Sequence, residues 1–92
     1  SEMAERTDSF FRGAIDGSVS NVKGKLLTEV VHMLGYYPGR EVTVDYGNGM
    51  AVIRMRIFLV RNKFYMVQTI TETSKKDNAA VTYFLDSFRL TD

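Results

Sequence analysis

Residues 50–72, with the sequence MAVIRMRIFLVRNKFYMVQTITE, decide the fold of this chain. Two runs of alternating residues, 50–60 and 64–72, are separated by a short polar segment, which predicts two antiparallel β-strands joined by a turn. In the first run, one parity is wholly apolar and the other mixes arginine with apolar residues. We therefore expect a long strand with one face in the core and one face of mixed character.

The residues before this stretch predict two further strands. Residues 25–34 are rich in β-branched and long apolar side chains, and residues 40–46 alternate between apolar and polar. Pro38 and Gly39 have the chemistry of a type II turn between these two strands. The glycine-rich segment 47–49 predicts a hairpin loop into the long strand.

A helix is predicted at each end of the chain. Residues 4–22 carry one apolar stripe at helical spacing, formed by Phe11, Ile15, Val19 and Val22. After a polar segment, a second stripe is formed by Val81, Phe84, Leu85 and Phe88. The predicted fold is α+β, in the order α-β-β-β-β-α: a four-stranded antiparallel curled sheet with an N-terminal and a C-terminal helix, in one domain over residues 1–92.

Composition and charge narrow the classes of function. The chain has 92 residues, with 12 Lys and Arg against 11 Asp and Glu, so no large net charge attracts it to nucleic acid. It has no cysteine, which removes disulfides, thiolate catalysis and cysteine metal sites. No apolar run approaches the roughly 18 residues of a membrane span. We expect no nucleic-acid partner, no membrane insertion, no metal and no cofactor.

Four segments together resemble the PsbP/Mog1-like family of bacterial domains. They are Lys25-Leu26-Leu27, Tyr37-Pro38-Gly39-Arg40-Glu41, Arg56-Ile57-Phe58-Leu59-Val60 leading through Asn62 to Phe64-Tyr65, and Phe84-Leu85-Asp86-Ser87-Phe88-Arg89-Leu90. The resemblance spans most of the chain and implies a twisted antiparallel sheet flanked by helices. It also implies a bacterial protein, and it favours an extracytoplasmic location, periplasmic or secreted.

The resemblance has one departure and carries no catalytic site. The family usually has an additional strand pair before its first helix, whereas only a few residues precede the predicted helix here. An exposed sheet edge, or a partner that covers it, is the expected consequence. Family members include a photosystem accessory protein, a Ran-binding protein and many bacterial proteins of unknown role, so the resemblance does not specify an activity.

The mixed face of the long strand is one candidate ligand or partner surface. It carries Arg54, Arg56 and Phe58, and arginine beside aromatic surface is suited to a carboxylate or phosphate. The alternative is a solvated face on which the arginines pair with Glu41 or Glu72 across strands. The sequence favours this second, structural interpretation.

Tyr36 and Tyr37 are the other candidates for a partner surface. They precede the proline at a predicted loop, where aromatic side chains often anchor protein contacts. Equally, either ring could fold over the sheet edge. His32 is the only histidine, and no carboxylate is placed by spacing to complete a metal site with it.

These observations favour a non-enzymatic binding or accessory module whose partner is an unknown protein or a second copy of the chain. No nucleophile, nucleotide or metal motif is present in the sequence. One alternative is a protein or enzyme that binds a small anion in a pocket between sheet and helix, with Arg54 or Arg56 holding the anion. Another is a structural homodimerisation domain that uses the sheet edge or the mixed face.

Overall fold

A four-stranded antiparallel sheet with a helix at each end forms the chain, as the sequence predicts. The computed structural model describes residues 2–90. Its elements are α1 (Glu2–Asn21), β1 (Lys25–Val31), β2 (Gly39–Tyr46), β3 (Ala51–Val60), β4 (Lys63–Glu72), a short 3-10 helix (Thr73–Lys75) and α2 (Ala79–Asp86). The fold is α+β, and the sheet is curled.

The strands follow each other across the sheet in chain order, and each neighbouring pair is antiparallel. Val42 of β2 pairs with Met55 of β3, and Met55 pairs with Gln68 of β4. A register shift between Leu26 and Thr28 interrupts the pairing of β1 with β2. β3 is therefore an inner strand, and β1 and β4 are the two edge strands.

The reversal between β1 and β2 lies earlier than the sequence predicts. β1 ends at Val31, and the chain turns at Gly35 and Tyr36, where Gly35 has φ +60°. The backbone amide of Leu34 donates to the carbonyl of Tyr37 at 3.0 Å, and the amide of Tyr37 donates back at 2.9 Å. Glycine supplies the left-handed conformation that this tight turn needs.

Gly39 has a packing role instead of the predicted turn role. It is buried at the start of β2, and a Cβ at this position would lie 2.3 Å from the His32 carbonyl oxygen and 2.5 Å from Cδ1 of Phe58. Because those distances are far below van der Waals contact, only glycine lets the backbone approach this closely. The type II turn at Pro38 and Gly39 is thus not formed.

The two helices pack on opposite faces of the sheet. On one face, α1 contributes to a buried cluster formed by Phe11, Ile15, Val42, Val44, Ile53, Met55 and Ile57. On the other face, Val52, Arg56 and Phe58 are buried. Thr82 and Asp86 of α2 bond to Arg54 and Arg56, and Phe88 after the helix stacks on Phe58. β3 is consequently buried on both sides, so the predicted face of mixed character is covered as well as the predicted core face.

α2 is rotated relative to the face that its sequence predicts. Val81 and Leu85 are buried as expected, whereas Phe84 is half exposed and Phe88 follows the end of the helix. Thr82 and Asp86 bond to arginines of the sheet, and they lie on the opposite side of Val81 and Leu85 from Phe84. The arginine contacts therefore turn Phe84 towards solvent.

The adjacent residues Phe10 and Phe11 offer a test of how α1 is attached. Phe11 is buried in the core cluster, whereas Phe10 is exposed at the helix flank. We expect Phe11→Ala to lower the free energy of unfolding by about 3–5 kcal/mol, because it removes a buried aromatic ring and leaves a cavity. Urea denaturation measures the change.

Phe10→Ala is the matched control and should cost clearly less than Phe11→Ala. Should Phe11→Ala leave the protein unfolded, Ile15→Val is the milder probe, with an expected loss of about 0.5–1.5 kcal/mol. Equal losses for Phe10→Ala and Phe11→Ala would show that α1 does not present this face to the sheet.

Candidate functional site

Arg54 and Arg56, the predicted ligand-binding cations, form an ion-pair network beneath α2. Arg54 donates to the Glu41 carboxylate at 2.8 Å and to the Thr82 hydroxyl at 3.0 Å. Arg56 donates to the Asp86 carboxylate at 2.5 Å, and its Nε lies 3.7 Å from the Glu41 carboxylate. Two cations therefore meet two carboxylates, and the network is neutral as a whole.

The sheet register explains this network. Glu41 of β2 is directly paired with Arg56 of β3, so both side chains leave the sheet on the same face. Arg54 is two residues away on that face, within reach of the same carboxylate. From α2, Thr82 accepts a hydrogen bond from the Arg54 guanidinium group, and Asp86 accepts one from that of Arg56. The pairing with Glu41 was anticipated from sequence, whereas the pairing with α2 was not.

Burial distinguishes the two arginines. Arg56 is 5% exposed, and its Nε has no hydrogen-bond partner among the described residues. Its distance to Glu41 is too long for a hydrogen bond but short enough for attraction between the charges. Removing one partner of a buried ion pair costs more than the pair contributes, since it leaves an uncompensated charge. Arg56 therefore has a structural role, which is to attach α2 to the sheet.

The pKa of Asp86 reflects the same contact. The hydrogen bond from Arg56 holds the pKa of the Asp86 carboxyl below its ordinary value of 3.8, against the opposing effect of desolvation. Because the folded pKa is the lower one, the charged carboxylate stabilises the folded state above pH 3.8. That contribution disappears as the pH falls through the folded pKa.

Asp86→Asn tests this link between α2 and the sheet. We expect the variant to unfold at lower urea concentration than the unmodified chain at pH 7, and we expect the difference to shrink as the pH is lowered below about 3.8. Asp77→Asn is the control, because Asp77 is exposed and forms no ion pair with any residue in 2–90. A difference that stays constant with pH would contradict an electrostatic link.

Phe58, the third predicted residue on this face, belongs to the core. It is 2% exposed, it stacks on Phe88 with ring centroids 5.5 Å apart, and the His32 ring lies 6.0 Å away. Together with Arg56, it is covered and does not present a surface to a partner in this structure. The prediction of an exposed arginine and aromatic surface on β3 is therefore corrected, because α2 occupies that face.

Tyr36 and Tyr37 lie apart from this network, at the end of the sheet where β1 turns into β2. Tyr36 is 98% exposed at the tip of the turn, whereas Tyr37 is half-buried. Tyr37 lines a cleft of about 440 Å³ together with Arg61 and Lys63 at the turn from β3 to β4. We call this hollow the turn cleft. The structure thus separates the predicted site residues into two groups.

One exposed apolar region was not singled out from sequence. Phe64, Met66 and Ile70 project from β4 on the side of the sheet that α1 covers, yet all three are exposed. The ring of Phe10 in α1 lies 5.2 Å from that of Phe64. We call these four side chains, with the unpaired edge of β4, the β4 surface. Alternation in 64–72 placed the three strand residues on one face, but sequence could not show that α1 leaves them uncovered.

Other kinds of site find little support in the described part of the chain. Residues 2–90 contain no group of three or more His, Cys, Asp or Glu side chains arranged to hold a metal ion. His32, the one histidine of the chain, has its ring 6.0 Å from that of Phe58. A further cleft of about 410 Å³ between β1, β2 and α2 has Arg54 in its wall, and this arginine is already bound by Glu41 and Thr82.

A membrane-crossing helix is also not found. None of the helices within residues 2–90 combines the length and apolar character that a bilayer span requires.

Comparisons with protein-family models, curated proteins and solved structures gave no significant match to the chain. The resemblance to PsbP/Mog1-like domains accordingly stays a prediction. The β4 surface and the turn cleft are not engaged by the ion-pair network beneath α2.

Proposed function

We propose that this chain is a non-enzymatic protein-interaction module that binds a second copy of itself through the β4 surface. The observation that carries the proposal is an edge strand that is long, has no charge between its ends and is apolar on its uncovered face except at Gln68. Ten residues form β4, and no charged residue stands between its two ends, Lys63 and Glu72. The unpaired edge offers backbone amides and carbonyls to another strand.

Edge strands of monomeric proteins usually carry devices against such pairing, including inward-pointing charges, proline and bulges. The other edge strand, β1, has two of these devices. Its pairing with β2 is interrupted by the register shift, and Glu29 in its centre is ion-paired to Arg12 of α1. β4 has neither a charge nor a proline within 64–71 and pairs with β3 without interruption. The comparison favours β4 as the strand used for association.

The exposed side chains on this strand add an apolar contact to the backbone pairing. Ile70 is 61% exposed, and Phe64 and Met66 are also exposed on the same face. Phe10 extends this apolar area onto α1 through its edge-to-face contact with Phe64. Burial of apolar surface of this kind is the main driving force of protein association.

The side chains of β4 favour a second copy as the occupant, because the strand is complementary to itself. An antiparallel pair of β4 strands related by a two-fold axis keeps Phe64, Met66 and Ile70 of both copies on the same sheet face. With the axis at Gln68, Met66 of each copy lies opposite Ile70 of the second copy on the same sheet face. The result is one eight-stranded sheet with an apolar band between the two α1 helices, interrupted at its centre by the pair of Gln68 side chains.

Ile70→Lys tests this proposal by light scattering after size-exclusion chromatography over a range of concentrations. The unmodified chain should approach 21 kDa, twice its 10.5 kDa mass, at the upper end of the range. Lysine at position 70 places a charge in the apolar band, so we expect the dimer dissociation constant to rise at least about tenfold, which corresponds to about 1.4 kcal/mol.

Val31→Lys on β1 is the matched control for that substitution. Val31 is 65% exposed, similar to Ile70, and it lies on the same sheet face at the opposite edge. Circular dichroism of both variants should show the fold intact. A chain that stays monomeric at every concentration, or a Val31→Lys variant that dissociates as readily as Ile70→Lys, would overturn the proposal.

A further inference from the structure

The turn cleft is a hollow with two kinds of lining. Arg61 and Lys63 supply positive charge from the turn between β3 and β4, and Tyr37 supplies an aromatic ring from the neighbouring turn. Val60 and Leu90 contribute apolar surface. Its volume of about 440 Å³ lies in the range of small-molecule sites in proteins. Charged groups thus stand beside an apolar wall.

Arg61 and Arg89, at this end of the sheet, differ from the other arginines of the chain in their lack of ion pairs with described residues. The arginines that form ion pairs within residues 2–90 are Arg6, Arg12, Arg40, Arg54 and Arg56. The remaining two, Arg61 and Arg89, form none with any described residue. Arg61 lines the turn cleft, and Arg89 lines an adjoining hollow that shares Tyr37 and Leu90 with it.

No described carboxylate is available to neutralise these cations. Asp86 lines the adjoining hollow, but its charge is engaged by Arg56. Lys63 adds a third positive charge that has no ion pair within residues 2–90. Three cations without ion pairs therefore lie together at this end of the sheet, where they attract anions.

The backbone conformation of Arg61 is uncommon for a residue other than glycine. Arg61 has φ +57°, the left-handed region that glycine adopts without strain and arginine adopts at a cost. The turn joins the paired residues Val60 and Lys63, so glycine at position 61 would suit the hairpin better. Strained non-glycine residues are often found where the side chain serves a functional site.

We propose that the turn cleft binds a small organic anion, with a phosphate or carboxylate group carried on a flat apolar body. Arg61 donates paired hydrogen bonds to the acid group, and Lys63 contributes a second positive charge. Tyr65 of β4 also lines the cleft. The apolar body contacts its ring and that of Tyr37, together with the side chains of Val60 and Leu90. This site is separate from the face of β4 that is proposed to mediate self-association.

Titration of the full chain with phenyl phosphate, benzoate and inorganic phosphate at constant ionic strength tests the proposal. Binding is followed by calorimetry and by the NMR shifts of the amides of residues 61–63. We expect saturable binding of phenyl phosphate or benzoate and weaker binding of inorganic phosphate, which lacks the apolar body. Phenyl phosphate binding in preference to benzoate would identify a phosphate ligand, and the reverse order a carboxylate.

Arg61→Gly should weaken binding of the preferred aromatic anion about tenfold, through loss of a charged hydrogen bond. It should not lower the melting temperature, because glycine relieves the left-handed strain. Lys23→Gly is the matched control: Lys23 also has positive φ, at +53°, and the substitution removes one positive charge away from the cleft. We expect it to leave binding unchanged.

Three results would overturn the proposal. They are the absence of saturable binding by both aromatic anions, equal binding of inorganic phosphate and phenyl phosphate, and equal weakening by Arg61→Gly and Lys23→Gly. Repeating the titration with Ile70→Lys separates this site from self-association, because the anion should still bind when the dimer dissociates.

Discussion

The burial of β3 on both faces is the constraint on which the rest of the structure depends. Ile53, Met55 and Ile57 pack beneath α1. On the other face, Arg56 lies beneath α2, and Phe58 lies beneath Phe88, which follows that helix. A strand covered on both sides contributes to two hydrophobic layers at once, whereas antiparallel sheets commonly leave one face exposed to solvent. The burial of a guanidinium group at Arg56 then requires carboxylates from β2 and α2, so the position of α2 follows from β3.

The order and type of the helices and strands could be predicted from sequence. Which helix covers each face of the sheet could not. Alternation in β2, β3 and β4 assigns residues to faces because side chains alternate along a strand. It does not tell which helix lies on which face, so Arg56 and Phe58 were predicted to be exposed and are buried. The same limit applies to Gly39, whose role depends on the approach of Phe58 from another strand.

The β4 surface has a geometric origin. Four strands about 4.8 Å apart place the outer strand axes about 14 Å from each other, whereas a helix with its side chains is about 10–12 Å wide. α1 is held over the β1 and β2 side by the Arg12–Glu29 and Asp8–Arg40 ion pairs. One helix anchored at that side cannot also cover the whole of β4, and Phe10 reaches across to Phe64. The sequence contains the apolar residues of β4, but the position of α1 decides that they are exposed.

Within residues 2–90, the ion pairs divide the arginines of the chain into those that are bound by its own carboxylates and those that are free to bind a ligand. Two neighbouring arginines such as Arg54 and Arg56 are suited to bind an anion, but carboxylates of the same chain already bind both of them. An incoming anion would have to displace Glu41 or Asp86. Arg61 needs no such displacement, since it has no ion pair among the described residues and is held at a turn beside Tyr37. An anion therefore gains more at Arg61 than at the buried arginines, because no existing ion pair has to be broken there.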